Sequence, residues 1–346
     1  MKKVLGILFV MLVSILQIQP AFSQRAYEIS DFIETLEVGS PVNYQNLTII
    51  PVYTTRVFDN TNYSTLDEAL NSGWLTISEM GGGSVNEVML TNHSGRYIYV
   101  MGGEILTGCR QDRIVGRDVL IAPRSRNVIV PVYCVEEGRW TAKSDRFYSK
   151  NNLGTYALRA EAQKASADTQ STIWNSIRGF NSRLSVRSTT QAYQDVYDDR
   201  AIKSEVTLYE QRLQHVPNMN RDTVGVVVAI GADIVSADIF ANPQIFRKLW
   251  PKILRSSAFS TINCRGSGYV SQRQAADFLS SLRHNNYYRQ RAIDLGEELS
   301  ARSGVNVNAL TYRNSVVHLA AFYEGVRNYN QNQWESHEGR IPVIRR

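Results

Sequence analysis

Two carboxylates and two arginines in the first half of the chain have the types and spacing to do chemistry together. Glu104 follows an apolar run that reads as a strand, and Gln111-Asp112-Arg113 comes just after Gly108. Glu136 ends a second apolar run, Val128 to Val135, and leads into Gly138-Arg139-Trp140. A carboxylate at the end of a covered strand is costly to bury unless a cation or several donors satisfy it. Arg113 and Arg139 are the cations at hand. In a scaffold reading, the Glu-Arg pairs tie strands together and Trp140 fills core. In a site reading, Gln111, Asp112, Arg113, Arg139 and Trp140 hold an anionic or sugar-phosphate ligand, and Glu104 or Glu136 is the catalytic candidate, serving as base or ligand. The site reading requires at least one Glu-Arg pair within hydrogen-bonding distance and a cluster that lines a cleft.

Other chemistry is weaker in the sequence. The five histidines, at positions 93, 215, 284, 318 and 337, show no metal-ligand spacing, so no metal site is expected. No phosphate loop, dinucleotide glycine fingerprint or nucleophile elbow occurs. Gly81-Gly82-Gly83 reads as a turn. Cys134 with His318 as its base would make a thiol nucleophile, but the Val and Tyr residues around Cys134 read as strand core, where a thiol is inert. His318, within Val316-Val317-His318-Leu319-Ala320, reads as a satisfied core histidine. Cys109 and Cys134 are the nearer cysteine pair. If they lie on neighbouring strands, a bridge between them would contribute roughly 3.5 kcal/mol by loop closure, with Cys264 left reduced. Three Asn-x-Ser/Thr triplets, at Asn46, Asn62 and Asn92, carry little weight, because the pattern is short and common.

These residues need elements to position them. From about residue 43 to 140 the chain reads as short strands: Leu47 to Val52, Val85 to Thr91, Tyr97 to Met101, Val119 to Ile121 and Val128 to Val135. The last is apolar on both parities, which predicts cover on both faces, and Pro131 predicts an edge or bulge. Thr65 with Glu68 forms a capping box that opens a helix, with Gly73 as its stop. A helical stretch is expected over about 156–178 and another over about 201–213. Residues 224–230 and 234–240 read as a hairpin. Asn242-Pro243 opens a helix that Pro251 should break or kink, and Ser271 with Gln274 caps a further one. Extended segments follow at about 293–300, 305–312 and 316–322. The expected fold class is α+β: a β-rich N-terminal lobe with a trailing helix over residues 24–185, a helical connector over 186–220 and a mixed α/β C-terminal lobe over 221–346. The lobes together could also form one family domain, about 40–325.

Residues 1–23 read as a secretory signal peptide, with Lys2 and Lys3, an apolar run from Val4 to Ile18 and the small-residue end Ala21-Phe22-Ser23. The apolar run is too short for a spanning helix, so a periplasmic or secreted location is expected, with no membrane span after signal removal. The mature chain would have 323 residues and a net charge of +4, with scattered basic residues. That pattern makes no case for a nucleic-acid partner.

Leu66-Asp67-Glu68-Ala69-Leu70, Gly103-Glu104, Gln111-Asp112-Arg113 and Pro131-Val132-x-Cys134-Val135-Glu136-x-Gly138-Arg139-Trp140 resemble the ARG and rhodanese-phosphatase-superfamily-associated domain family, formerly a domain of unknown function. The resemblance is most specific from about residue 40 to 180. It implies, by the association in its name, a link to ADP-ribose or nucleotide metabolism, and it transfers no activity or cofactor. The functional expectation is a secreted or periplasmic ligand-binding module for a nucleotide-derived or sugar-like anionic ligand. A hydrolase of a nucleotide-sugar-like substrate and a non-catalytic envelope interaction protein are the alternatives. The partner is accordingly a small molecule or a protein.

Overall fold

The computed structural model describes residues 26–80, 85–264 and 267–323. The expected signal peptide, the Gly81-Gly82-Gly83 turn and His337 lie outside the described residues. The described chain opens with α1 (Tyr27–Glu34), β1 (Leu36–Val38), β2 (Val42–Tyr44) and β3 (Leu47–Thr54). A short β4 (Ser64–Thr65) runs into α2 (Leu66–Asn71). There follow β5 (Leu75–Glu79), β6 (Glu87–Asn92), β7 (Ile98–Val100), β8 (Glu104–Gly108), β9 (Arg113–Val115), β10 (Val119–Ile121), β11 (Val128–Cys134) and β12 (Phe147–Leu153). Four helices come next: α3 (Tyr156–Lys164), α4 (Thr169–Arg183), α5 (Gln194–Asp198) and α6 (Arg200–Leu213). The remainder is β13 (Thr223–Ile230), β14 (Asp233–Phe240), α7 (Pro243–Thr261), α8 (Gln272–Ser281), β15 (Tyr288–Arg291), β16 (Glu297–Arg302), β17 (Val305–Tyr312) and β18 (Ser315–Tyr323). The fold is α+β, with a strand-rich first part.

The strands form three sheets. A nine-stranded sheet runs β1-β3-β13-β14-β18-β17-β16-β15, with β2 also on β3. A six-stranded sheet runs β12-β8-β9-β11-β6-β5, and a small third sheet is β10-β7-β4. The lobes are therefore not consecutive in sequence. Strand β3, expected in the first lobe, pairs with β13 from Leu47↔Ile230 to Tyr53↔Thr223. β13 is buried throughout, because α7 covers one face of the large sheet while α1 and α8 cover the other. Val226, Val228 and Ile230 enter the first core, and Val224, Val227 and Ala229 enter the second.

Local signals set most helix starts. Both capping boxes form, at Thr65 with Glu68 and at Ser271 with Gln274, and Asn242 accepts from the N–H groups of Gln244 and Ile245. Three expectations are corrected. The single helix expected over 156–178 is two, because Ala165 adopts a left-handed φ of 50° and ends α3. Pro251 does not break α7, which continues to Thr261. Strand β11 is neither an edge nor covered on both faces: Ile129 is 39% exposed, and Pro131 sits where pairing with β6 ends and pairing with β9 begins. At that changeover a missing N–H costs no ladder bond.

Candidate functional site

The β8–β9 turn and the segment after β11 bring five of the predicted residues together. Gln111, Asp112, Arg113, Glu136 and Arg139 are all buried, and Arg139 is the hub. Its Nε donates to Glu136 Oε2 at 2.7 Å and its Nη2 to Asp112 Oδ1 at 3.0 Å. Its Nη1 donates to the carbonyls of Cys109 (2.7 Å) and Thr141 (2.8 Å). The Gln111 amide donates to the Glu136 carbonyl at 2.7 Å, and Lys143 N–H donates to the Cys109 carbonyl at 2.9 Å. Two loops, 108–112 and 136–144, are thus stitched into one unit. Glu136 also accepts from Thr190 Oγ1 at 3.0 Å and lies 3.5 Å from Lys143 Nζ. Burial pushes the Glu136 carboxyl up, but Arg139, Thr190 and Lys143 outweigh it and hold the group below its ordinary range. Asp112 goes the other way: burial and the Glu136 charge raise it against the Gly108 N–H, Lys143 and Arg139. Its Oδ2 is buried without a hydrogen-bond partner.

Arg113 donates to the Gln111 carbonyl of its own turn at 3.1 Å and lies 3.8 Å from Glu79 at the end of β5. Trp140 does not fill core; it is 62% exposed on the stitched loops, and the side chains of Lys143 and Arg110 are also largely exposed. One Glu-Arg pair therefore forms, Glu136 with Arg139. The other does not. Glu104 takes Lys252 as its partner, and Lys252 also pairs with Asp67. The cleft expected of the cluster is corrected: Gln111, Asp112, Arg113, Glu136 and Arg139 are buried and line neither of two surface depressions of about 380 and 360 Å³, which leaves only the side chains above them, Trp140 among them, to meet a ligand.

Glu104 belongs to a second network, at the seam between the large sheet and the smaller ones. Its Oε2 accepts from Met101 N–H at 2.9 Å, and Asp67 accepts from Ser149 Oγ at 2.6 Å. Burial pushes the Glu104 carboxyl up to about 7 even against Lys252, with Asp67 adding to the rise. Lys252, itself fully buried, would be lowered by burial, but its two carboxylates overcome this and raise it. Alongside, Arg159 holds Asp238 through two nitrogens at 2.9 and 2.5 Å, and its Nε donates to the Gly102 carbonyl at 3.2 Å. His318 lies between two carboxylates, Nδ1 at 2.6 Å from Asp118 and Nε2 at 3.2 Å from Asp238, with its ring stacked 4.2 Å from Phe240. With a carboxylate against each ring nitrogen, the surroundings favour the imidazolium form, in which both nitrogens donate. Burial lowers His318, but Asp118 and Asp238 outweigh it and raise it. Asp238 is held well below its usual range by Arg159 and His318 despite its burial. Gly103, at φ 102°, lets the Arg159 side chain lie against the turn; a Cβ there would sit 2.3 Å from Arg159 Cγ.

The cysteine expectations need correction. The two do not lie on neighbouring strands: Cys109 is in the turn after β8, Cys134 ends β11, and β9 lies between those strands. All three cysteines are free. Burial raises all three thiols, Cys109 to about 11. Cys134 is thus not an activated nucleophile, and the nitrogens of His318 are taken. Among the described residues no group of His, Cys, Asp and Glu side chains could hold a metal ion, and no helix is long and apolar enough to cross a membrane.

Asp118, Arg159, Asp238 and Lys252 are not among the residues that the sequence marks, and Asp67 stands out there only within the Leu66–Leu70 motif of the resemblance. The available signal was a charge inside an apolar pattern: Asp238 within Ile234 to Phe240, and Lys252 within Leu249 to Leu254. Such charges need buried partners. Asp118 has no comparable signal, since its neighbour Arg117 makes it look like a solvated pair. The model of the ARG and Rhodanese-Phosphatase-superfamily-associated Protein domain matches residues 35–322. No curated protein and no solved structure matches the chain.

Proposed function

The chain belongs to the ARG and Rhodanese-Phosphatase-superfamily-associated Protein domain family, and on that premise we propose that it is an exported binding module whose ligand is a nucleotide-derived or sugar-like anion. The observation that carries this reading is the exposure of Trp140 on two loops pinned from beneath by Arg139. A solvent-facing indole on a loop whose backbone is held can stack on a base or sugar face. Lys143 and Arg110, on the same pair of loops, are about half exposed and only loosely paired, at 3.5 Å from Glu136 and 3.7 Å from Glu79, so a phosphate could draw on both charges. Arg139 and Glu136 then act as the frame that holds this platform, because their own donors and acceptors are spent within it. The leader at residues 1–23 supports export.

Binding of ADP-ribose, AMP and neutral sugars to the chain from Gln24 onward, read by calorimetry and tryptophan fluorescence, tests the reading. The expectation is a phosphate-bearing ligand that quenches fluorescence in the wild type, with affinity reduced at least about tenfold in Trp140→Ala and in Lys143→Ala, and with the melting temperature unchanged in Trp140→Ala. Unaltered binding by Trp140→Ala, or no binding by any of these ligands, would defeat it. A nucleotide-sugar hydrolase is the second reading. One observation favours it: Asp112 and Glu136 share Arg139 while their acidities are pushed in opposite directions, the pattern of an acid and base pair. Release of sugar or phosphate products during the same incubations would select it.

A further inference from the structure

The seam network is built from distant parts of the chain, and its charges do not balance. Four carboxylates, Asp67 of α2, Glu104 of β8, Asp118 ahead of β10 and Asp238 of β14, face three cations, Lys252 of α7, Arg159 of α3 and His318 of β18. With every group ionised, the seam carries one uncompensated negative charge. Such a charge in a site of low polarity is costly, and the cheapest remedy is a proton.

Three carboxylates are poor places for that proton. Asp238 is held by both Arg159 and His318. Asp118 accepts from Gly102 N–H at 2.7 Å as well as from His318. Asp67 is the most exposed of the four, at 19%, and receives Ser149. Glu104 has no exposure and only Lys252 and one backbone N–H as partners. The sheet neighbours of β8 bring Arg113 of β9, turned to the Gln111 carbonyl and Glu79, and Lys150 of β12, paired with Asp198. α7 contributes Lys252, with Lys248 turned to Glu68; α2 contributes Asp67; β7 contributes the un-ionised Tyr99, whose hydroxyl is buried without a partner; α3 contributes Arg159.

We propose that Glu104 is a proton-binding site that makes this seam a pH-sensitive latch, closed on a neutral network when Glu104 is protonated and loosened when it ionises. The balance is one proton: O–H formation at a Glu104 carboxylate oxygen on the acid side, its release to solvent on the alkaline side. The raised acidity constant of Glu104, about 7 against an ordinary 4.5, places the transition at neutrality. The folded state then holds a proton that the unfolded chain releases. Stability from this group is complete below the unfolded value and is lost as pH rises through the folded one.

The test compares wild type with Glu104→Gln, a mimic of the protonated acid, in chemical unfolding between about pH 5 and pH 8.5. The unfolding constant of the wild type, measured relative to the variant, is expected to rise by up to tenfold per pH unit over the range between the two acidity constants and to level off above it. A wild type that tracks Glu104→Gln in parallel across this range would overturn the proposal. Should the variant fail to fold, carbon-13 NMR of the wild-type glutamate carboxyls decides. A Glu104 resonance that titrates near neutrality supports the latch, and one already ionised at about pH 5.5 refutes it.

Discussion

Around Arg139 the charged partners come from two neighbouring loops, Glu136 only three residues away and Asp112 twenty-seven. At the seam the corresponding separations are 148 residues for Glu104 to Lys252 and 200 for Asp118 to His318. Both regions bury ion pairs, but they do different work. The loop cluster fixes a local shape and leaves its outer side chains, Trp140 and Lys143, in solvent. The seam joins two sheets to α2, α3 and α7 and leaves little of its charge exposed. A buried pair adds little net stability over an apolar replacement, while removal of one partner is expensive. The two regions should therefore differ more in the consequence of failure than in stability gained.

The largest effect should come from Arg159→Ala, which strands Asp238 against His318 and frees the Gly102 carbonyl. A loss of about 5 kcal/mol, or failure to fold, is expected in denaturant titration. Arg139→Ala should cost less, about 3 kcal/mol, because Glu136 retains Thr190 and Lys143. If the order of these two were reversed, the loop cluster and not the seam would be the structural keystone. Thr65→Ala removes one half of the capping box at the entry to α2 and should cost about 1 kcal/mol.

Acid sharpens the comparison with the smallest perturbation, since it changes no residue. Asp238 at the seam and Glu136 in the loops are both held below their ordinary range, so their contributions are present above the unfolded values and are lost as pH falls through the folded ones. The hold on Asp238 is the stronger. Hydrogen exchange on acidification should accordingly show the 136–144 loop opening at a higher pH than the β14–β18 ladder, and simultaneous opening would refute the distinction.

The residues whose partners are close in sequence were legible before any fold was known. Thr65 and Ser271 announced their helices, because a cap is satisfied within three residues. The strands at 47–54, 119–121 and 128–134 followed from β-branched and aromatic runs. The pairing of Glu136 with Arg139 was visible for the same reason. Glu104 announced only that it needed a partner. The cation near it in sequence, Arg113, turned back onto its own loop, and the partner proved to be Lys252 on a helix that only packing brings near. The cysteines failed likewise: sequence distance made Cys109 and Cys134 look close, but Cys109 falls in the turn after β8 and β9 lies between β8 and the strand that Cys134 ends. Local hydrogen bonds and side-chain period act over a few residues and are written in order along the chain. The identity of a buried charge's partner depends on which strands become neighbours, and sheet order here, with β3 beside β13 and β14 beside β18, is decided by burial of apolar faces on both sides of one sheet.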